Sequence, residues 1–177
     1  MIDIRIARDE EFDKVFSVLK TSFPPDERRT YDAQKALLSN PKYNIYVLPD
    51  SESDEIKAFI TVWQFGTFAF VEHFAVNPKY RNLGLGSAIL NAVVSLLPCR
   101  ICLEVELPET DMAKRRIEFY RRNGFFTNDY QYIQPPYGKD KQPVPLILMT
   151  HGSSIAEKEF ENIKKTIFKE VYNDKAL

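Results

Sequence analysis

Residues 81–87, RNLGLGS, place two glycines one residue apart between a strand-like run and a helix-like run. Glycine suits a backbone that must adopt positive φ or come close to another group. A helix start offers unsatisfied amides and the positive end of the helix dipole, which together favour an anion. The segment is therefore predicted to hold a phosphate group, with Arg81 and Ser87 as further donors. A tight turn that uses glycine for its geometry alone is the alternative.

The residues that follow the second glycine fit neither of two common nucleotide-binding loops. A dinucleotide fingerprint requires a third glycine where this chain has Ile89. A GxxxxGK[ST] loop requires Lys and then Ser or Thr after its last glycine, and here Ser87 and Ala88 follow. A phosphate held by this loop would therefore belong to another class of ligand.

Two acidic residues, Glu104 and Glu106, lie two positions apart in the strand-like run LEVEL. Their side chains are expected on one face of that strand. Two acids on a mostly buried strand need compensating partners. They could bind the ammonium group of a substrate, or one of them could supply a base. The alternative is that this face meets solvent or a basic helix.

Cys99 and Cys102 have the C-x-x-C spacing of some zinc and redox sites. The run CRICLEVEL reads as a strand, in which residues three apart point to opposite faces. The chain has only two histidines to complete a zinc site, His73 and His151. We therefore expect reduced core cysteines and no metal. The same alternation points His73 away from the face of Glu72, and we expect a packed or surface imidazole there.

The elements that must position these residues alternate between strand and helix. Strands are expected at 2–6, 43–48, 56–65, 67–76, 100–107, 125–133 and 144–150, with a hairpin near Gly66. Helices are expected at 9–20, 31–38, 86–97 and 112–123 and from Ser153 onward. Asp9 is the expected cap of the first helix, Ser153 or Ser154 the cap of the last, and Gly124 the residue that closes the helix before it.

The length of 177 residues favours one domain, at 1–152, followed by an amphipathic helix at 153–177 that packs on or extends it. The apolar stripe of that helix is expected to cover the protein's own sheet, with a dimer contact as the alternative. The net charge of −1 argues against nucleic-acid binding through phosphate neutralisation. No apolar run approaches the length of a membrane span, and the charged N-terminus is unlike a secretory signal. A cytoplasmic location is expected by default.

Two segments carry a family resemblance. VEHFAVNPKYRNLGLGSAIL, at 71–90, resembles the acetyl-CoA signature of the GCN5-related N-acetyltransferases, whose loop reads Q/R-x-x-G-x-G/A. EFYRRNGF, at 118–125, is similar to the helix and "Y…GF" motif of that family. The resemblance implies an α/β (α+β) fold with a mixed, mostly antiparallel sheet that is splayed between its fourth and fifth strands. It also implies helices on both faces, and the C-terminal helix is additional to the minimal fold.

The resemblance assigns roles to residues of the two segments. The backbone of Phe74, Ala75 and Val76 would bind the pantetheine arm of acetyl-CoA. The diphosphate would be bound by Arg81, Asn82, Leu83, Gly84, Leu85, Gly86 and Ser87. Tyr120 would protonate the leaving thiolate, with a packed ring as the alternative. Glu72, with a pKa raised by burial, would be the general base, and a role without proton transfer is the alternative.

The helix that carries Tyr120 departs from the family pattern at two positions. Ala113 and Arg116 stand where an asparagine and an alanine are usual, which leaves the pantetheine contacts of this helix open. Its basic residues are expected to form a mostly solvated face, from which some could reach the 3′-phosphate of the coenzyme.

The implied activity is transfer of an acetyl group from acetyl-CoA to a primary amine by direct attack in a ternary complex. Asp26 and Glu27 would favour a cationic acceptor, Glu104 and Glu106 could bind its ammonium group, and Tyr132 and Tyr137 could line a wall of the site. The stretches 22–31 and 130–140 could equally be rigid proline loops with no ligand role. The acceptor itself is not identified by any motif. The expected state is a monomer or homodimer. The alternative function is a non-catalytic sensor or scaffold that binds coenzyme A.

Overall fold

The structure is a computed structural model and describes residues 2–173. The strands are β1 (Arg5–Ile6), β2 (Tyr43–Pro49), β3 (Ile56–Gln64), β4 (Phe68–Val76), β5 (Arg100–Glu106), β6 (Phe125–Thr127), β7 (Tyr132–Gln134) and β8 (Val144–His151). The α-helices are α1 (Phe12–Ser22), α2 (Tyr31–Ala36), α3 (Leu85–Leu96), α4 (Asp111–Arg122) and α5 (Glu157–Glu170).

The strands form a mixed, mostly antiparallel sheet, as the family resemblance implies. Their hydrogen-bonded order is β1-β2-β3-β4-β5-β8-β6, with β7 also paired to β8, and β4 and β5 are parallel. The chain divides into two compact units, and β4 contributes to both. Within the described residues, the first unit comprises 2–65 and 71–98, and the second comprises 66–70 and 99–173.

The first unit is built on the antiparallel pair of β2 and β3, in which Ile45 lies opposite Thr61. Both strands read as near-continuous apolar runs because most of their residues are buried. Helix α1 buries Phe12, Val15, Val18 and Leu19. Phe16, on the same helix, is only half-buried.

In the second unit, β8 pairs with β5 along one edge and with both β6 and β7 along the other. The prediction of one strand over residues 125–133 is wrong, because the pairing stops between Thr127 and Tyr132. Asn128 is the physical reason. Its side-chain amide donates to Leu148 O at 3.0 Å, and its Oδ1 accepts from Ile155 N at 2.9 Å. The backbone amide of Asn128 also donates to Leu148 O at 3.2 Å, so the side chain adds further bonds at the residue where the pairing ends.

Both predicted N-caps are wrong. Asp9 lies inside a 3-10 turn, and α1 begins at Phe12 without a side-chain cap. The last helix begins at Glu157 after Ala156, and neither Ser153 nor Ser154 caps it. Ser153 O instead accepts from the Thr150 hydroxyl at 2.7 Å, so this stretch is part of the turn that leaves β8. Gly124 does close α4, with φ of 82°.

The apolar stripe of helix α5 packs against other residues of the second unit, to which the helix itself belongs. Phe160, Ile163 and Ile167 are buried, and the Phe160 ring lies 4.9 Å from that of Tyr130 and 6.1 Å from that of Tyr132. The stripe therefore covers the protein's own strands, which was the first of the two interpretations. Among residues 2–173, no helix has the length and apolar character that crossing a membrane requires.

Candidate active site

The glycine-containing segment forms an exposed loop that opens helix α3. Asn82 and Gly84 both have positive φ, of 64° and 73°, and Gly84 is the N-cap. The geometric reason for glycine is therefore confirmed at Gly84, whereas Gly86 lies within the first helical turn. The first hydrogen bond of the helix joins Ala88 N to Gly84 O at 3.3 Å. The amides of residues 85–87 consequently have no acceptor within the helix and can serve an anion.

Arg81, the first residue of the loop, is bonded to the end of β4. The Arg81 Nε donates to Val76 O, the last residue of β4, at 3.3 Å. Arg81 is exposed, and Ser87 is half-buried in the first turn of α3. A short connection thus joins the end of β4 to the start of α3, and the guanidinium of Arg81 lies at the first residue of the loop 81–87.

The three β4 residues that were assigned to the pantetheine arm alternate in burial. Ala75 is buried, whereas Phe74 and Val76 are half-buried. This alternation is what a half-buried strand produces. Their backbone contacts to a ligand stay a prediction.

Glu72 lies at the centre of a buried polar cluster. Its side chain is 0% exposed, and its Oε1 accepts from the Arg29 guanidinium at 2.5 Å. Its Oε2 accepts from the Trp63 indole at 2.9 Å. Burial is the largest single effect and would raise the pKa of Glu72, but the charges of Arg29 and His73 and the hydrogen bonds from Trp63 and Arg29 together outweigh it, and the pKa is lowered. The expectation of a raised pKa at Glu72 is therefore wrong, because the sequence did not reveal its partner.

His73 is packed, as expected, but it does not point away from Glu72. Its Nδ1 lies 3.9 Å from Glu72 Oε2, which regular strand alternation would not allow. Its Nε2 hydrogen-bonds the backbone carbonyl of Glu27 at 2.8 Å. Burial lowers the pKa of the imidazole, although the charge of Glu72 opposes this effect. Glu72 and His73 therefore both hold the segment 24–30, which includes the exposed Asp26 and the half-buried Glu27.

The second unit brings three of the predicted substrate residues together. The Tyr132 hydroxyl donates to Glu104 Oε1, and the Tyr172 hydroxyl donates to Glu104 Oε2 at 2.6 Å. The Tyr137 ring packs against the Tyr172 ring with centroids 5.0 Å apart. Tyr172 was missed because it follows α5, 68 residues along the chain from Glu104, and no local pattern connects them.

Glu106 faces a basic helix, which was the alternative interpretation of this strand face. The Arg116 guanidinium, on α4, donates to the Glu106 carboxylate. This pair also gives a physical reason for arginine at a position where the resemblance would place alanine. Glu106 is therefore partly neutralised, and it is less suited than Glu104 to bind a substrate ammonium group.

Tyr120 lies on the buried face of α4. Its ring packs against Phe119 and Phe125, with centroid distances of 5.3 and 5.8 Å. Burial raises the pKa of the hydroxyl well above its ordinary value. The group is therefore protonated at neutral pH and can donate a proton.

Comparisons with known proteins support the resemblance. The model of the acetyltransferase (GNAT) family matches residues 11–125. A putative acetyltransferase of the GNAT family from Bacteroides thetaiotaomicron shares 36% identity, with 98% of this chain and 100% of that chain covered and a TM-score of 0.89. The chain belongs to the GNAT acetyltransferase family.

Two further solved structures share the fold of this acetyltransferase. The ribosomal-protein-S18-alanine N-acetyltransferase from Escherichia coli is 20% identical, with 89% of this chain and 97% of that chain covered and a TM-score of 0.65. A spermidine N-acetyltransferase variant from Vibrio cholerae is 10% identical, with coverages of 84% and 94% and a TM-score of 0.64. No curated protein gives a significant match.

Family membership confirms the predicted enzyme class, an acetyl-CoA-dependent N-acetyltransferase. The two cysteines of the acetyltransferase are free thiols. Cys102 is buried, which raises its thiol pKa, and its Sγ lies 3.5 Å from Ala69 O. Cys99 is only half-buried and precedes the strand. Among residues 2–173, no cluster of three or more His, Cys, Asp or Glu side chains could hold a metal ion.

Proposed function

We propose that this acetyltransferase transfers the acetyl group of acetyl-CoA directly to a primary amine in a ternary complex. The observation that carries the proposal is the exposed loop before α3, in which Asn82 and Gly84 have positive φ and lead into a helix start whose first amides have no acceptor within the helix. A diphosphate offers several negative oxygens to such a helix start. Residues 81–87 are therefore proposed to bind the diphosphate, and Phe74, Ala75 and Val76 the pantetheine arm. A cytoplasmic location, an absence of nucleic-acid partners, and a monomeric or homodimeric state stay predictions.

Tyr120 is proposed to be the general acid that protonates the departing thiolate. Its hydroxyl is protonated at neutral pH because the ordinary pKa of tyrosine already lies well above 7, and burial raises it further. Tyr120→Phe is expected to lower kcat by about 100-fold, within the range of general acid catalysis, while acetyl-CoA affinity is retained. Tyr130→Phe is the matched control, since this tyrosine also packs in the second unit and its hydroxyl donates to Ile155 O at 3.4 Å. Full activity of Tyr120→Phe would remove this residue from the acid role.

Glu72 is proposed to act without proton transfer. Its carboxylate is fully enclosed and ion-paired with Arg29, and its pKa is lowered. A lowered pKa reduces the driving force for accepting a proton from an ammonium group. Its contacts with Arg29 and Trp63 favour a structural role, in which Glu72 holds the segment 24–30 in place and neutralises the charge of Arg29. The base is then proposed to be Glu104 or a chain of water molecules.

The acceptor is proposed to be a cationic primary amine. Asp26 is exposed and Glu27 is half-buried within the segment 24–30, and Glu104 presents a carboxylate among tyrosine side chains. Tyr132 and Tyr137 are proposed to line this part of the site, and Glu106 to contribute less because of Arg116. Two structures that share the fold are named for alanine and spermidine N-acetylation, both of which modify amines.

A thiol-release screen tests the proposed function. Purified protein and acetyl-CoA are incubated with amines, polyamines and peptides that carry free N-termini, and free coenzyme A thiol is measured. Release above the rate without an amine is expected for at least one cationic primary amine, and the acetylated product is then identified by mass spectrometry. Retention of acetyl-CoA with no release against any amine would instead support a sensor or scaffold.

A further inference from the structure

The segment directly before the proposed coenzyme loop is tied to the turn between β2 and β3 by polar side chains. We call Asp50, Glu55, Lys57, Asn77 and Tyr80 the loop anchor. All five belong to the first unit, and none lies within residues 81–87 themselves. The first three lie at the ends of β2 and β3, and the last two lie between β4 and the loop.

Asn77 connects the end of β4 to β3. Its backbone amide donates to Lys57 O at 2.9 Å, and its side-chain amide donates to Ile56 O at 3.1 Å. Its Oδ1 accepts from Lys79 N at 3.2 Å, which caps the 3-10 turn Pro78–Tyr80. One side chain therefore both holds the neighbouring strand and starts the turn that leads into the loop.

Tyr80 connects the last residue before the loop to two carboxylates. Its hydroxyl lies 2.9 Å from Glu55 Oε2 and 3.3 Å from Asp50 Oδ2. The Lys57 ammonium lies 2.6 Å from Asp50 Oδ1 and 5.6 Å from the centre of the Tyr80 ring. The tyrosine is thus fixed through both its hydroxyl and its ring.

The loop has little of its own to hold it in place. Residues 81–84 are exposed, and the bonds at its two ends are long, at 3.5 Å for Arg81 N to Pro78 O and 3.3 Å for Ala88 N to Gly84 O. Asn82 has a φ of 64°, in the left-handed region, which asparagine tolerates better than most residues with a Cβ. Because the loop has few bonds of its own, its order depends on residues outside it.

We propose that Tyr80 is a positioning residue for acetyl-CoA. Its hydroxyl, held by Glu55 and Asp50, fixes the chain where the loop begins, so that the amides converge before the coenzyme arrives. The inference rests on the proposed coenzyme role of the loop. A binding site that is ordered in advance loses less conformational freedom on binding. Loss of the hydroxyl therefore weakens coenzyme binding while the ring, and the packing of the unit, are retained.

Tyr80→Phe tests this role by isothermal titration of the full-length protein with acetyl-CoA. The Kd is expected to rise about three- to tenfold, as for the loss of one hydrogen bond. Tyr31→Phe is the matched control, because the Tyr31 hydroxyl also donates to a carboxylate of the first unit, that of Asp13 at 2.5 Å, but lies outside the loop anchor. This control should bind acetyl-CoA like the wild-type protein.

Amide hydrogen exchange of the ligand-free proteins shows whether the effect is local. In Tyr80→Phe, faster exchange is expected at residues 81–87, with β2 and β3 unchanged. An unchanged Kd would overturn the positioning role, and so would faster exchange throughout β2 and β3, since the hydroxyl would then stabilise the whole unit. If the wild-type protein itself does not bind acetyl-CoA, the proposed function fails, and exchange at residues 81–87 still decides whether Tyr80 orders the loop.

Discussion

The substitution Gly84→Ala tests whether acetyl-CoA binding requires the positive φ at this position of the loop. Gly84 has φ of 73°, and a Cβ built at this position meets no atom within 4 Å. The substitution therefore creates no steric clash with neighbouring residues in the ligand-free protein. Its cost arises only from placing a residue with a Cβ in the left-handed region, which is about 1–2 kcal/mol.

The loop can avoid that cost by changing conformation. Residues 81–84 are exposed, so the backbone can move to negative φ without disturbing the core. Binding of acetyl-CoA would then have to restore the original conformation and supply the same 1–2 kcal/mol, which corresponds to about a 5- to 30-fold higher Kd. Gly84→Asn should lose less affinity, because asparagine tolerates the left-handed region better than alanine.

The affinity of each variant is measured by isothermal titration with acetyl-CoA, and stability by urea unfolding. Gly66→Ala is the matched control. Gly66 has φ of 83° and also meets no atom within 4 Å, but it lies in the turn between β3 and β4. Its backbone cost is of the same kind, so its stability should fall by about 1–2 kcal/mol while its Kd stays that of the wild-type protein.

Equal affinity of Gly84→Ala and wild-type protein would refute the reasoning about the loop. It would mean that coenzyme binding does not depend on the left-handed turn at this position. A loss of affinity in Gly66→Ala as large as that in Gly84→Ala would refute it as well, because the effect would then follow general destabilisation.

Further predictions concern the buried charges of the first unit. Arg29→Ala leaves the enclosed carboxylate of Glu72 without its guanidinium and should destabilise the protein by about 3–5 kcal/mol in urea unfolding, whereas Arg121→Ala, which removes an exposed pair, should cost at most about 1 kcal/mol. A loss of unfolding free energy in Arg29→Ala that is smaller than that in Arg121→Ala would show that the ion pair of Arg29 and Glu72 does not stabilise the protein. Glu11 accepts from Arg5 at 2.6 and 2.7 Å, and this lowers its pKa from 4.5 to about 2. Because the unfolded state then binds more protons, its contribution is complete above pH 4.5 and is lost as the pH falls towards 2. Glu11→Gln should flatten that part of the curve of stability against pH, and an identical curve would contradict the assignment.

Features that depend on residues close together in the sequence could be predicted from the sequence. The strand and helix order, the positive φ at Gly84 and the glycine that closes α4 follow from hydrophobic periodicity and from the steric freedom of glycine. The family was also identified from two short segments, because the loop and the tyrosine helix each carry their signature within a few positions. The N-cap predictions were wrong because other side chains bond the backbone just before these helices. Asn128 accepts from Ile155 N, and Glu11 accepts from Arg8 N.

Which charged groups and hydroxyls contact one another could not be predicted from the sequence. Glu72 was predicted to have a raised pKa, and it has a lowered one because Arg29, 43 residues away, acts with His73 and Trp63 to outweigh the effect of burial. Glu104 is held by Tyr172, 68 residues away. Each of these pairings depends on the path of the whole chain, and a carboxylate's proton affinity depends on charges within a few ångströms of it, whatever their distance in sequence. Two short segments were therefore enough to identify the family and to locate the glycine loop at residues 81–87, whereas the side chains that contact Glu72 and Glu104 depend on the fold of the whole chain.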